Sequence, residues 1–429
     1  MHRTHLRERF TTNAAVRPGE AVVAGGVRHP ARGYVRSPAA ALVADRLEGR
    51  GLRVRWAEVT ARVSEPEARA PELDLVSYIG WDGVAVGLGV VVGAQDAVAR
   101  QAVDEELSAW SAVLRTRRVI AAAIVPWCAG TTRALAIAQR CAAQQTGPVY
   151  VVGRLTDNPT VAQRLLERGL ICVDDVDTVP DGTTVLFAQH GVPLAVEAEA
   201  AARDLTVIDA TCPLAASAHA EVRRFADRGD TVVLIACQDD AAVPGLVSQA
   251  PEAIRVVADP QDVAALQISD PRRLAVVIQP GLPGKVTGPI LKALRARFGH
   301  VAPQHPSTLC DAADDRRAHV RSLAESCDAV LIAATDNDPE SAWIGAVCRT
   351  AGAAAHPVAR LADLEPAWIA QSVTIGITAT MRADPALSGR LIAALRGLGP
   401  VAVVERRVVT QSVSVPGGVT DAALETTPW

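Results

Sequence analysis

Three of the eight cysteines lie in turns between a predicted strand and a predicted helix. Cys128, Cys212 and Cys310 occupy the segments PWCAGTTRALAIA, DATCPLAASAHAEV and STLCDAADDRRAHV. The unpaired N–H groups and the positive dipole end of a helix N-terminus stabilise a thiolate, which is the form of cysteine that binds metals. The context therefore marks these three cysteines as candidate metal ligands.

Three converging thiolates would suit an iron–sulfur cubane. They would bind three of its irons and leave the fourth open to a substrate oxygen, so that the cluster acts as a Lewis acid as well as an electron carrier. The alternative from the residues alone is three buried turn cysteines. The sequence has no CxxC pair, so it lacks the main signal of a zinc ribbon. The other cysteines lie in predicted helices or at apolar strand positions, where free cysteine packs as a small hydrophobic residue; they are Cys141, Cys172, Cys237, Cys327 and Cys348.

The composition argues against nucleic acid and membranes as partners. The formal net charge is -4, and no cluster of basic residues alternates with aromatic residues. The first residues, MHRTHLRERFTTNAAV, are too charged for a secretory signal, and apolar runs such as Val119 to Trp127 are too short to cross a bilayer. We therefore expect a cytoplasmic protein, in which thiols stay reduced rather than forming disulfides.

From about Val119 onward, short Val/Ile/Leu runs alternate with Ala-rich helical segments. This pattern is typical of an α/β chain with buried parallel strands. The predicted strands are VYVVGR, VLFAQH, LTVIDAT, TVVLIACQ, RLAVVIQ, AVLIAAT and VTIGITA. Ligands of such sheets gather at the loops that follow the carboxyl ends of the strands, so the site is expected there.

Residues 1–117 are predicted to form a small separate α/β module of unknown role, which contains no cysteine. EAVVAGG, LRVRWAEV and GVAVGLGVVV favour strands, whereas SPAAALVADRLEGRG and AVDEELSAWSAVLRTR favour helices. The glycines of VVAGGVRHPARG lack the GxGxxG spacing of a dinucleotide-binding turn.

From about Arg118 to Val415 the sequence resembles the 4-hydroxy-3-methylbut-2-enyl diphosphate reductase family, often called LytB or IspH. The segments that carry the resemblance are Cys128-Ala129-Gly130, Ala188-Gln189-His190-Gly191-Val192, Asp209-Ala210-Thr211-Cys212-Pro213-Leu214, Cys310 before its polar helix, and Gly376-Ile377-Thr378-Ala379. The resemblance implies a three-lobed, trefoil-like arrangement of parallel-sheet α/β units around a central cluster. The lobes would comprise residues 118–212, 213–308 and 309–429, the last with a C-terminal tail.

The resemblance also implies chemistry. Cys128, Cys212 and Cys310 match the ligands of a [4Fe-4S] cluster, and His190 matches a histidine that binds substrate phosphate. Members of the family use two electrons from ferredoxin or flavodoxin to remove an allylic hydroxyl, which binds the open iron. They release isopentenyl and dimethylallyl diphosphates. The chain would then be an iron–sulfur oxidoreductase with a small-molecule substrate.

Several pocket positions depart from the family pattern. Thr156-Asp157-Asn158 stands where the family has a histidine triplet, so Asp157 replaces a diphosphate-binding histidine. Asp240 replaces a second histidine, and the glutamate that relays protons falls on Ala242. The remaining replacements fall on positions that bind phosphate in the family; they are Gly281 in Gln279-Pro280-Gly281, Asp338 and Glu340 in Asp338-Pro339-Glu340, and Arg382.

These replacements predict a changed substrate. Like charges about 4 Å apart cost on the order of 4 kcal/mol per pair at an effective dielectric near 20, and Arg382 would offset only part of that repulsion of a diphosphate. A cationic or polyhydroxylated ligand suits an acidic cavity; alternatively, the carboxylates are solvated loop residues that never converge. Asp240 or His190 is then the candidate acid, a role typically worth about 10² to 10⁴ in rate.

Two further functions stay open. The chain is a genuine 4-hydroxy-3-methylbut-2-enyl diphosphate reductase of isoprenoid biosynthesis if the pocket positions align differently. It is a non-catalytic iron–sulfur redox sensor or scaffold if the pocket has lost its activity, and the N-terminal module would then be the partner-binding part.

Overall fold

The computed structural model describes residues 5–63, 70–122, 126–145 and 147–406. The chain divides into two compact units, one of residues 1–126 with 319–407 and the other of residues 127–318 with 408–429. Parts of the predictions lie outside the described residues: the first four residues, residues 123–125 of the apolar run that ends at Trp127, and the C-terminal tail after residue 406.

Within the described residues, the N-terminal module contains six strands and two helices. They are β1 (Leu6–Thr11), β2 (Glu20–His29), β3 (Gly33–Arg36), α1 (Ala40–Gly49), β4 (Arg53–Thr60), β5 (Glu72–Ile79), β6 (Ala85–Val92) and α2 (Ala97–Ala112). The strands form one mixed sheet in the order β1-β5-β6-β3-β2-β4. The sequence predicted β2, β4, β6 and both helices. It missed β1, β3 and β5; β1 lies at the sheet edge, where its charged side chains carry little apolar signal.

The unit of residues 127–318 contains two parallel sheets within its described part. Its elements are α3 (Ala129–Gln144), β8 (Val149–Val152), α4 (Pro159–Glu167), β9 (Leu170–Val173), β10 (Thr184–Phe187), α5 (Leu194–Ala202), β11 (Thr206–Asp209), α6 (Pro213–Asp227), β12 (Thr231–Ile235), α7 (Val243–Ser248), β13 (Ile254–Val257), α8 (Pro260–Ala265), β14 (Leu274–Ile278), α9 (Gly284–Phe298) and the start of α10 (Ala312–Ala324). Sheet A has the order β11-β10-β8-β9 and sheet B the order β13-β12-β14. The central strands are buried, as their unbroken Val/Ile/Leu runs predicted.

A third parallel sheet, sheet C, lies in the other unit. Its elements are β7 (Arg117–Ala122), β15 (Ala329–Ala333), α11 (Pro339–Thr350), β16 (Ala354–Val358), α12 (Pro366–Ile369), β17 (Thr374–Ala379), α13 (Leu387–Gly397) and β18 (Val401–Arg406). The strand order is β16-β15-β17-β7-β18. All seven strands predicted after residue 118 are present, and the α/β class with parallel sheets is confirmed.

Strand β7 pairs with β17 and β18 in sheet C, whereas the sequence analysis assigned its residues to the first lobe. Parallel strands are joined through long crossovers, so neighbours in a sheet are often distant in sequence. The order of strands in a parallel sheet therefore cannot be deduced from the order of apolar runs. Among the described residues, no helix is both long enough and apolar enough to cross a membrane.

The N-terminal module and sheet C share one hydrophobic core. Buried residues of α2, including Leu107 and Trp110, belong to the same cluster as Ile377 of β17 and Leu391 of α13. Buried Arg117 reinforces the junction, because its guanidinium donates hydrogen bonds to backbone carbonyls after α2, at the end of α12 and after α13. The module is therefore packed as part of this unit and is not a separate domain.

We expect Leu107→Ala to lower the free energy of unfolding by about 2–5 kcal/mol, because it leaves a cavity in this shared core. Val98→Ala removes a side chain of the same helix that is 77% exposed, so its effect should stay within about 0.5 kcal/mol. Urea denaturation measures both effects. Hydrogen exchange should also accelerate in β17 for the Leu107 variant; acceleration confined to the module would contradict the shared core.

Candidate functional site

Each of the three candidate cysteines lies at or just before the start of a helix. Cys128 is the N-cap residue of α3, and its Sγ accepts the N–H of Thr131 at 3.4 Å. Cys212 is the N-cap residue of α6, in which Pro213 fills the first helical position. Cys310 precedes α10, which starts at Ala312. The free N–H groups at a helix start point along the helix axis, and together with the positive end of the dipole they favour the thiolate form of a cysteine placed there.

The thiols face a common space in the unit of residues 127–318. A β-carbon added to Gly130 would lie 2.7 Å from Sγ of Cys212 and 3.7 Å from Sγ of Cys128. Cys310 is close enough to both cysteines for their charge to affect its ionisation. Among the described residues, no three His, Cys, Asp or Glu side chains form a group that could hold a single metal ion. The site is thus a thiol-bordered space kept open by a glycine.

Burial opposes ionisation of Cys212 and Cys310. It is the main cause that raises the pKa of Cys310 to about 11, and the neighbouring Cys128 and Cys212 raise this pKa further. The N–H groups of Ala312 and Gly281 act in the opposite direction. Burial also raises the pKa of Cys212, although two N–H groups at the start of α6 lower it. Gly281, predicted to bind substrate, thus presents its backbone N–H to the sulfur of Cys310.

His190 lies within electrostatic range of Asp240 and Asp157. It follows β10 in a turn completed by Gly191, whose φ is +77°. Burial lowers the pKa of His190, whereas the carboxylates of Asp240 and then Asp157 raise it. The three residues come from the loops after β10, β12 and β8, so the structure brings these predicted site residues together.

The two carboxylates near His190 are held only weakly. Oδ1 of Asp240 accepts the N–H of Ala242 at 2.9 Å, within its own loop. Asp157 forms an ion pair with Arg154 at 2.9 Å, but the two side chains are 64% and 73% exposed. Exposed pairs contribute about 0–1 kcal/mol, so this one does little to fix Asp157.

The other unit contains three predicted substrate-binding residues, Asp338, Glu340 and Arg382. The two carboxylates accept hydrogen bonds from backbone N–H groups. Asp338 is the N-cap residue of α11, and its Oδ1 accepts the N–H of Glu340 at 2.9 Å. Oε2 of Glu340 accepts the N–H of Met381 at 2.6 Å, which ties α11 to the turn after β17. Arg382 is exposed in that turn. Both carboxylates therefore have local structural partners.

The sequence analysis missed two contributions to the site. Gly130 was quoted only as part of a motif, although its position beside two sulfurs explains why a glycine is needed there. The side chain of Gln279 is buried, and its Oε1 accepts the N–H of Cys237 at 2.9 Å. This bond links the end of β14 to the loop that carries Asp240. A glutamine directly after a buried strand was the available signal, because buried polar groups need partners.

Sequence comparison relates most of the chain to known reductases. The family model described as LytB protein matches residues 119–396. A Mycobacterium bovis protein named 4-hydroxy-3-methylbut-2-enyl diphosphate reductase 2 is 38% identical over 291 residues, which cover 67% of this chain and 88% of the relative. A Saccharophagus degradans protein named 4-hydroxy-3-methylbut-2-enyl diphosphate reductase is 36% identical over 292 residues, which cover 67% of this chain and 94% of the relative.

Solved structures share the fold. The E-1-hydroxy-2-methyl-but-2-enyl-4-diphosphate reductase from Plasmodium falciparum superimposes with a TM-score of 0.58 at 20% identity, covering 72% of this chain and 97% of that one. A second structure is described as (E)-4-hydroxy-3-methyl-but-2-enyl diphosphate reductase, the terminal enzyme of the non-mevalonate pathway. It superimposes with a TM-score of 0.56 at 21% identity, covering 65% of this chain and 99% of that one.

We expect Gly130→Ala to destabilise the protein by roughly 1–3 kcal/mol, because its added carbon would overlap Sγ of Cys212. Alanine normally stabilises a helix relative to glycine by up to about 1 kcal/mol. Gly389→Ala in α13 provides the matched control, since nothing lies within 4 Å of its added β-carbon. Thermal unfolding measures both variants, and a stabilising Gly130→Ala would contradict the crowded position.

Proposed function

Because the chain belongs to the LytB family, we propose that it is an iron–sulfur reductase in which Cys128, Cys212 and Cys310 hold a [4Fe-4S] cluster. The observation that carries this proposal is the proximity of the three thiols: two of them border the space beside Gly130, and the third, that of Cys310, lies close enough to both to interact with them electrostatically. Relatives that are named reductases support the oxidoreductase class.

The residues of this space fit such a cluster. No side chain of Gly130 enters it, and a β-carbon there would collide with one of the sulfurs that border it. Three cysteine ligands are the set that leaves one iron of a cubane open. Thiols must lose their protons to bind metal, and the N–H groups at the start of α6 favour that loss at Cys212, although burial opposes it.

When bound, a [4Fe-4S] cluster with three cysteine ligands supplies electron transfer and an open iron that acts as a Lewis acid. We propose reductive dehydroxylation of an allylic alcohol, with ferredoxin or flavodoxin as the electron donor. The carbon–oxygen bond breaks, a carbon–hydrogen bond forms, and the hydroxyl leaves as water. This reaction consumes two electrons and two protons.

His190 and Asp240 are the side chains proposed to hold these protons. Burial lowers the pKa of His190, and the Asp240 carboxylate lies near enough to offset part of that effect. Ala242 carries no ionisable group, so the position that matches the family's proton-relay glutamate cannot act. A positioned acid is typically worth about 10² to 10⁴ in rate, which makes a substitute necessary for efficient turnover.

The substrate is proposed to differ from the diphosphate of the relatives. Asp157 and Asp240 are both near His190, where the family resemblance places phosphate. Each would repel a diphosphate by on the order of 4 kcal/mol at about 4 Å and an effective dielectric near 20. An allylic alcohol with a cationic or polyhydroxylated body suits these carboxylates better.

The second candidate is a genuine 4-hydroxy-3-methylbut-2-enyl diphosphate reductase. It is favoured by the curated relatives, which carry that name and are matched over most of their length. The ion pair of Arg154 with Asp157 also supports it, because a rotation of Asp157 would leave a guanidinium available to phosphate.

Protein purified without oxygen should be brown, with a broad visible absorbance and about four irons per chain. Cys212→Ser and Cys310→Ser should each lose most of the iron and the absorbance, since a cubane held by two cysteines is poorly retained. Cys172→Ser is the control, because Cys172 is exposed and lies away from the helix starts. Iron and sulfide analysis measures the content; equal loss in all three variants would contradict the assigned ligands.

With reduced viologen as the electron source, the wild-type protein should turn over 4-hydroxy-3-methylbut-2-enyl diphosphate poorly. Replacing both carboxylates in Asp157→His/Asp240→His should raise kcat/KM for this diphosphate by about 10-fold or more, since each 1.4 kcal/mol of relieved repulsion is a factor of about ten. Asp239→His removes one carboxylate at a neighbouring exposed position and should have little effect.

The outcome separates the candidate functions. Fast turnover by the wild-type protein, with a loss in the double variant, would establish the genuine diphosphate reductase and refute the changed substrate. If cluster-loaded protein reduced neither the diphosphate nor any member of a panel of allylic alcohols, the non-catalytic cluster protein would be favoured.

A further inference from the structure

His219 is a buried polar residue of α6 to which the proposed reaction assigns no role. The residue is 7% exposed, and its Nε2 has no hydrogen-bond partner among the described residues. Burial lowers the pKa of His219 to about 4, so the imidazole is neutral near neutral pH. An unpaired buried polar group costs about 1–3 kcal/mol, a cost that an apolar residue at this position would avoid.

The imidazole of His219 packs against two glycines, one in the turn after β10 and the other in α7. A β-carbon added to Gly191 would lie 2.8 Å from Cε1 of His219, and one added to Gly245 would lie 3.3 Å from the same atom. Gly191 directly follows His190, and Gly245 lies in α7, which begins just after the loop of Asp240. One buried ring therefore borders both segments that carry the proposed proton-holding side chains.

The unpaired nitrogen and a backbone carbonyl both lie near the β-carbon position of Gly245. The β-carbon position of Gly245 is 3.4 Å from Nε2 of His219 and 3.6 Å from the carbonyl oxygen of Val192. The two polar atoms thus border the same small space. Val192 ends the turn of residues 190–192, which we call the HGV turn, so a small movement of this turn would let Nε2–H donate to the carbonyl.

We propose that His219 is a positioning residue of the site, which donates Nε2–H to the Val192 carbonyl in solution and so holds the HGV turn against α6 and α7. His219 then acts through His190 and touches no substrate itself. The proposal deepens the proposed function and rests on it only for the role of His190 and Asp240. The contact itself does not depend on a cluster or on a substrate.

His219→Phe keeps an aromatic ring at this position but removes the nitrogen that donates the proposed hydrogen bond. This variant should unfold at a slightly lower temperature than the wild-type protein, because it removes the proposed hydrogen bond. Hydrogen exchange of the amides of residues 188–194 in the full chain should accelerate roughly 2- to 10-fold, the loss expected for one hydrogen bond. His219→Gln, which keeps a donor, should restore most of the protection.

Exchange in β14 and α9 provides the control, since these elements belong to the same unit and lie outside the proposed contact. Unchanged protection of residues 188–194 in His219→Phe would overturn the proposal. Equal acceleration across the whole unit would also overturn it, because it would show a general structural role. A protein that binds no cluster would refute the proposed function while leaving this exchange measurement decisive.

Gly245→Ala tests the same contact without changing His219. Its added carbon would lie close to both Nε2 and the Val192 carbonyl and would crowd the proposed contact, so exchange in residues 188–194 should accelerate as it does in His219→Phe. Combining the two substitutions should add little, because both remove one hydrogen bond. Fully additive acceleration would show that the two residues act separately and would overturn the proposal.

Discussion

The gathering of three partly buried thiols in one region is the constraint on which the rest of the site depends. Burial and the neighbouring thiols raise the pKa of Cys310 to about 11, so this group stays protonated unless a positive charge joins it. Gly130 leaves the space between the sulfurs without a side chain, although a larger residue in the first turn of a helix would normally add packing. Side-chain packing is thus reduced at Gly130, and solvation is reduced at the thiols. A cluster of irons is the kind of group that would offset both losses.

The parallel sheets explain how residues far apart in sequence reach this point. Asp157, His190 and Cys212 follow strands of sheet A, whereas Asp240 and Gly281 follow strands of sheet B. The carboxyl ends of parallel strands lie at one edge of their sheet, so the loops after them meet there. The buried strands supply rigidity and the loops supply chemistry. Buried polar side chains such as that of Gln279 then join one loop to the next.

The parts of the fold that could be predicted are those that leave a local mark in the sequence. Buried parallel strands show unbroken Val/Ile/Leu runs, and the cysteines before helices show the turn and the helix that follows. Strands β9, β13, β16 and β18 were missed because they are short or only partly buried. Asp338 followed by Pro339 has the signature of a helix start, so its capping role could have been recognised and weighed against phosphate binding.

Other features leave no local mark. The pairing of β7 in sheet C depends on strands more than 200 residues away in sequence, which no local pattern reveals. His219 lies in a helix whose sequence is ordinary, and its significance depends on the two glycines that the fold brings to its ring. The same holds for the shared core of the N-terminal module, since an amphipathic helix such as α2 indicates that one face is buried but not what covers it.

The structure narrows the electrostatic argument about the substrate. Four acidic replacements were expected to repel a diphosphate, but Asp338 and Glu340 accept backbone N–H groups of their own unit and so have a reason to be acidic that involves no ligand. Asp157 and Asp240 differ, because each affects the ionisation of His190. The case for a changed substrate therefore depends on two carboxylates, one of which already pairs with Arg154. Asp240 has no such cation beside it in the described contacts, and it is the residue whose charge weighs most against a diphosphate.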